Sequence, residues 1–356
     1  MQSRCQTRHP PTGRHRSAAA GKTAVAAEAA AAAGAGGGGG GAGAGGGSVG
    51  EVADAGGDKD SAGRTVLFDG VELGSYDESP LWVRVNPFVI SGYRLGCASM
   101  AQCMRSVWYL HNQTMNVWTH AGGTVVVAVM LALRLAAHIR DVGPLSWLDA
   151  ALVGVFIFAF ASQFLLSAAY HAVMCHSADV CFRFRQWDYI GVLFHIGGLE
   201  LVALVGLFVP PAWLGAADRG RDLVPAATLV SAENLMFVAA FGCVVTVVLV
   251  WTISMLVLQP HRKYRIYVGM VLLTALSWAL IWRLYAVDAP VAAQAAQAMW
   301  DVQKWYAIGM VPFLYKVPER WIPTGLFDIW GASHQLWHIA IILGTFNELE
   351  LLMTLL

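Results

Sequence analysis

Seven stretches of about twenty apolar residues dominate the chain, at about 117–138, 149–172, 188–210, 234–258, 266–286, 297–315 and 334–354. About twenty residues in helical conformation is the length that crosses the hydrocarbon core of a bilayer, so each stretch predicts a membrane-spanning helix. The sixth is the least regular, because Asp301, Gln303 and Lys304 interrupt it, and the seventh carries Asn347, Glu348 and Glu350 near its far end. Ahead of the first, Met100, Cys103, Met104, Val107 and Trp108 recur at helical spacing, with Gln102, Arg105 and Ser106 on other faces. That periodicity predicts a short amphipathic helix, lying in the membrane interface or packed on the end of the bundle. Residues 66–93 mix turn formers with aromatics and read as ordered but not spanning. Residues 1–64, with an almost pure glycine run from Gly34 to Gly47, cannot bury enough apolar surface to offset chain entropy and are expected to be disordered. The organisation expected is a tail at 1–64, a cytoplasmic segment with an interfacial helix at 65–115, and a seven-helix transmembrane domain at 116–356.

Composition supports an all-α integral membrane protein: 57% of the residues are hydrophobic and 13% charged, against roughly 25% charged in soluble domains. A formal net charge of zero leaves no basic surface for nucleic acid. The basic residues near the span ends are distributed asymmetrically. With the N-terminus inside, ten fall on the inner side (Arg84, Arg94, Arg105, Arg183, Arg185, Arg262, Lys263, Arg265, Lys316, Arg320) and three outside (Arg140, Arg219, Arg221). The bias predicts a cytoplasmic N-terminus and an outside C-terminus. Arg4, Arg8, Arg14, Arg16 and Lys22 precede the first acid, Glu28, a composition that also suits an organellar transit peptide. No apolar segment of a cleaved secretory signal is visible. The six cysteines, Cys5, Cys97, Cys103, Cys175, Cys181 and Cys243, form neither CxxC pairs nor a dense framework, and read as reduced thiols. The membrane, whether plasma membrane or Golgi and endoplasmic reticulum, stays open.

His334-Gln-Leu-Trp-His338 opens the last span. Residues four apart on a helix lie one above the other, so both imidazoles leave one face at metal-ligand spacing. On the predicted orientation, the end of the second span, Ser167-Ala-Ala-Tyr-His171, lies at the same face, and so does Asp188, where the third span begins. Three histidines and a carboxylate then meet at one depth. His171, His334 and His338 are the candidate ligands of Zn²⁺, leaving a fourth tetrahedral position for water. Asp188 is the candidate to hold that water or take its proton, and Ser167 to orient a carbonyl or the water. The competing structural roles are an N-cap for Asp188 and a backbone bond for Ser167. Among the other histidines, His120 is the reserve ligand, while His111, His176 and His195 are less favoured. Glu200, inside the third span, is a candidate because an acid in a membrane span needs a reason. Asn112-Gln-Thr is a glycosylation sequon expected to stay unmodified on the inner side.

These residues resemble the progestin and adipoQ receptor family, which includes the adiponectin receptors and the haemolysin III proteins. The likeness runs from about residue 80 to 345, through Asn86-Pro87-Phe88 to Gly92-Tyr93-Arg94, Asn112-Gln-Thr-Met-Asn116-Val-Trp-Thr-His120, Ser167-Ala-Ala-Tyr-His171 to Cys175-His176-Ser177 and Asp188-Tyr-Ile-Gly191. It continues through Pro318-Glu319-Arg320, Phe327-Asp328-Ile-Trp330 and His334-Gln-Leu-Trp-His338. The resemblance implies seven helices with a cytoplasmic N-terminus, zinc on His171, His334 and His338 with Asp188 near its water, and reception of a hormone or lipid. For the adiponectin-receptor branch it also implies hydrolysis of ceramide-type amides. One departure stands out: Gln113 occupies a position where the family usually has Glu. The expectation is a zinc-dependent lipid-amide hydrolase with a membrane lipid or sphingolipid as substrate, and an extracellular ligand or cytoplasmic signalling protein as further partner. The alternative is a receptor or scaffold with a structural zinc; a transporter is disfavoured by the lack of paired broken spans.

Overall fold

The computed structural model describes Lys59 and residues 64–209, 231–258, 263–287 and 289–356. The readings of the tail before Lys59, of Cys5 and of the loop basics Arg219, Arg221 and Arg262 lie outside the described residues. The described residues belong to one compact unit.

Eight α-helices are described: α1 Met100–Ser106, α2 Thr114–Asp141, α3 Trp147–Val173, α4 Ala178–Phe208, α5 Ala232–Leu258, α6 Lys263–Val287, α7 Ala289–Tyr315 and α8 Ser333–Leu355. Six of the seven long ones are long and apolar enough to cross a membrane. The remaining one, α7, fits the same bundle because its polar residues find partners: Asp301 pairs with Lys304 one turn away at 2.5 Å, and Gln303 accepts the Trp278 indole N–H of α6 at 2.9 Å. Consecutive long helices pack side by side, α8 closes the set against both α7 and α2, and α4 runs through the middle, touching α3, α5, α6 and α8. The outward faces carry residues such as Val125, Val129, Phe158, Val247, Val271 and Trp282, the last 81% exposed. An apolar surface of that extent has no place in water and suits lipid.

Close contact between helices is set by small residues. A Cβ on Gly191 of α4 would lie 2.7 Å from the Ser162 carbonyl oxygen of α3, and one on Gly309 of α7 would lie 2.4 Å from the Cβ of Ala340 on α8. Side chains larger than hydrogen at these places would force the backbones apart. The α4 helix starts at Ala178, capped by the Ser177 hydroxyl, rather than at 188. Hydropathy marks only the lipid-facing part of a helix, and the stretch with Arg183, Arg185 and Gln186 continues it beyond the apolar part. Asp188 is therefore interior to the helix and not its cap.

Before the bundle, β1 Val66–Phe68, β2 Val71–Gly74 and β3 Tyr93–Leu95 form an antiparallel sheet in the order β1-β2-β3, with Phe68 opposite Val71 and Gly74 opposite Tyr93. The hairpin turns at Asp69-Gly70, both at positive φ (42° and 76°), the chemistry of a tight two-residue turn. The sheet, absent from the sequence reading, docks on α1 through the Arg105–Asp69 ion pair at 2.6 Å. α1 itself starts in a Ser99–Gln102 capping box. It buries Cys103 and Val107 with Phe68, Val71, Val117 and Val173, while Met100, Met104 and Trp108 stay exposed. The amphipathic helix thus packs on the bundle end with one face and presents an apolar face outward with another.

Candidate metal centre

His171 lies in the last turn of α3, and His334 and His338 in the first turns of α8. One nitrogen of each lies within 4.8 Å of the other two. The Nε2 atoms of His171 and His334 are 3.2 Å apart, close to the ~3.3 Å separating two ligand nitrogens on a tetrahedral ion with bonds of ~2.0–2.1 Å. His171 and His338 are buried.

Neighbours fix the tautomers. His171 Nδ1 faces Gln113 Oε1 at 2.8 Å, and that oxygen also accepts the Asn116 amide at 2.8 Å. Gln113 is therefore an acceptor here, His171 Nδ1 carries the proton, and Nε2 keeps its lone pair. His338 Nδ1 lies 3.0 Å from Thr119 Oγ1, whose own proton goes to the Met115 carbonyl at 2.6 Å. By the same logic His338 donates from Nδ1 and keeps Nε2 free. A ring nitrogen oriented by an acceptor on its far side is the usual arrangement of a metal-ligating imidazole. A lone pair on His171 Nε2 pointing at His334 Nε2 also requires a cation or a proton between them. The donor set fits a metal ion. Among the described residues no fourth His, Cys, Asp or Glu joins the group.

Ser167 is buried on α3 one turn before His171, and its hydroxyl is within hydrogen-bonding reach of the half-buried Asp188 carboxylate on α4. Ser167 thus lies one turn from His171, and Asp188 meets Ser167. His120 stacks on His338 with ring centroids 3.6 Å apart, and neither of its nitrogens has a partner among the described residues. His111 accepts the Gln113 backbone N–H at 3.0 Å at the start of α2. His195 lies elsewhere, bonded to Gln163 and, at 2.5 Å, to Glu348, whose other oxygen accepts the Tyr306 hydroxyl. Glu200 accepts the Ser277 hydroxyl of α6, and Asn112 is buried.

Three residues hold the centre's frame and had no role assigned from sequence. The buried Arg94 guanidinium donates to the carbonyls of His171 (2.8 Å) and Ala172 (2.9 Å), satisfying helix-end acceptors that would otherwise be orphaned. Glu319 accepts the Ser333 backbone N–H at 2.9 Å, placing a carboxylate at the positive end of α8 next to His334. Asp328 accepts the N–H groups of Ile90 (3.0 Å) and Ser91 (2.7 Å) and pins the strand approach to the α7–α8 connection. All three stand in motifs recognisable in the sequence, but their partners are distant along the chain.

Membrane-spanning helices around three converging histidines define a multi-pass integral membrane protein with a candidate metal centre at one end of its bundle. The chain belongs to the Haemolysin-III related family, whose model matches residues 108–349. It is 28% identical to the adiponectin receptor protein of Drosophila melanogaster over 76% of this chain and 56% of that protein. It is also 28% identical to the progestin and adipoQ receptor-like protein 1 of Caenorhabditis elegans over 76% of this chain and 58% of that one. Its identity to the human progestin and adipoQ receptor family member 3 is 25%, over 76% of this chain and 81% of the relative. The chain thus spans little more than half the length of the first two.

Proposed function

We propose that the protein is a zinc-dependent hydrolase of a lipid amide, a ceramide or related sphingolipid, coupled to reception of a hormone or lipid signal. The observation that carries this reading is the open ligand set: three imidazoles converge with no fourth His, Cys, Asp or Glu among the described residues, and Ser167, one turn before His171, meets the Asp188 carboxylate. Structural zinc is closed by four protein ligands, whereas catalytic zinc keeps a position free. When bound there, zinc would supply the Lewis acidity that makes water a nucleophile at neutral pH. The chain's own groups do the rest: Asp188 holds the attacking water and takes its proton, and Ser167 orients the acid and the amide carbonyl. An apolar groove of about 610 Å³ between α1, α2 and α3, lined by Val107, Trp108, Val117, Trp118, Leu165 and Ala168, suits a lipid chain arriving sideways from the bilayer. The test is turnover of a short-chain ceramide by purified protein. Hydrolysis is expected, abolished by a chelator and restored by zinc; its absence across ceramides and related lipid amides with zinc present would overturn the reading.

The second reading, a receptor or scaffold with a structural zinc, is favoured by the receptor names of the relatives and takes over if no lipid amide is turned over. Both place the histidines on the cytoplasmic side, from the basic residues of the loops. An epitope after Leu356 should then be reachable on intact cells that carry the protein at their surface, and one at Met1 only after permeabilisation. The reverse staining would move the site to the outer face.

A further inference from the structure

Under the small sheet, three buried thiols meet: Cys97 from the turn after β3, Cys103 from α1 and Cys175 just past the end of α3. Their sulfurs all lie within 4.8 Å of one another, and those of Cys103 and Cys175 are 3.6 Å apart. Their exposures are 4%, 0% and 8%. Sulfurs bound to one ion with bonds of ~2.3 Å are separated by a little under 4 Å, so the trio already has nearly the spacing of a filled site. Arg94, held in the same cap by its bonds to Ser106 at 2.6 Å and Ala172 at 2.9 Å, brings a positive charge to the side of the trio.

We propose that Cys97, Cys103 and Cys175 form a second metal site, a three-sulfur centre that takes Cu(I). Soft thiolate donors favour Cu(I) and zinc over the harder biological cations, and Cu(I) is stable with three ligands. Zinc bound structurally asks for a fourth protein ligand, and no fourth His, Cys, Asp or Glu joins this group among the described residues. Burial excludes water from the fourth position and keeps oxidants away. Binding exchanges one proton from each thiol for a metal–sulfur bond, so three protons leave to solvent. The copper complex carries two negative charges, of which Arg94 offsets one. No electron is transferred, since the ion enters and stays as Cu(I).

The experiment titrates the zinc-replete full chain with Cu(I) under anaerobic, reducing conditions against a chromophoric Cu(I) chelator, and then records X-ray absorption at the copper edge. One copper per chain is expected to be held against the chelator, with three sulfur neighbours and no nitrogen. Cys175→Ser and Cys97→Ser should each weaken retention at least tenfold, while His338→Ala should keep the sulfur shell. Because Cys103→Ser in so tight a place can fail to fold, the wild-type absorption spectrum stands as an independent readout. A nitrogen shell, failure to hold copper against the chelator, zinc on sulfur in the wild-type chain, or unchanged retention in folded Cys97→Ser would each overturn the proposal.

Discussion

The double variant His334→Ala, His338→Ala is expected to purify without zinc and to unfold at a lower temperature than the parent chain. The parent should carry about one zinc per chain, the stoichiometry of a three-imidazole site with one open position. Stability falls with the metal because ligands in the unfolded chain are not preassembled, so binding free energy becomes folding free energy. A graded series separates ligands from the groups that orient them. Gln113→Ala removes the acceptor of His171 Nδ1 at 2.8 Å and should cost ~10–100-fold in zinc affinity while leaving the site saturable. Gln113→Glu keeps the acceptor and adds a negative charge, so it should bind zinc more tightly than the parent. His195→Ala should retain its zinc and still lose stability, since it removes a hydrogen-bond partner from both the buried Glu348 and Gln163. Zinc content by elemental analysis decides; full occupancy in the double variant would remove the histidines from the metal.

Asp188→Asn is expected to keep near-normal zinc and to lose lipid-amide hydrolysis by roughly two orders of magnitude or more, within the ~10²–10⁴-fold typical of general acid–base groups. The amide preserves shape and can still accept from Ser167, but it cannot take a proton from the attacking water. Ser167→Ala should lose less, on the order of tenfold to a hundredfold, if its hydroxyl only orients the acid and the carbonyl. Parallel measurements of turnover and bound zinc distinguish the roles. Unchanged turnover in Asp188→Asn would take the acid out of the mechanism, and simultaneous loss of zinc would make it a ligand or a support.

The spans were legible because a bilayer imposes one length and one polarity on every helix, and the limits read from hydropathy fall within a few residues of most observed ones. Two helix starts lie well before the apolar stretches, α4 at Ala178 rather than 188 and α7 at Ala289 rather than 297. Where a helix leaves lipid, as α4 does between Ala178 and Asp188, polarity no longer marks its end. Asp301 and Lys304 weaken the apolarity of α7, yet their pairing across one turn lets the helix continue. The spacing of His334 and His338 is weak taken alone; the group was legible because the ends of spans two and seven, with His171, were read as lying at one face, and the structure brings the three together. Gln113 was visible only as a departure from the resemblance, and Thr119 not at all. Each acts by presenting an acceptor to a ring on another helix, a relation fixed by packing rather than by spacing. The hairpin carried a local signal, Asp69-Gly70 between apolar residues, which the mixture of turn formers and aromatics around it obscured.

Arg94 gives the hydropathy boundary near residue 115 a different meaning. Its guanidinium spans three pieces of chain, donating to Ser106 on α1 and to the two carbonyls at the end of α3. A bundle cut free of the residues before α2 would retain all three histidines and yet leave the carbonyl of one of them, His171, facing an apolar interior without a donor. The border between water and lipid is thus not a seam along which the molecule comes apart. Cap and bundle are tied together through a single planar cation, which holds the backbone of His171 from the side of the small sheet.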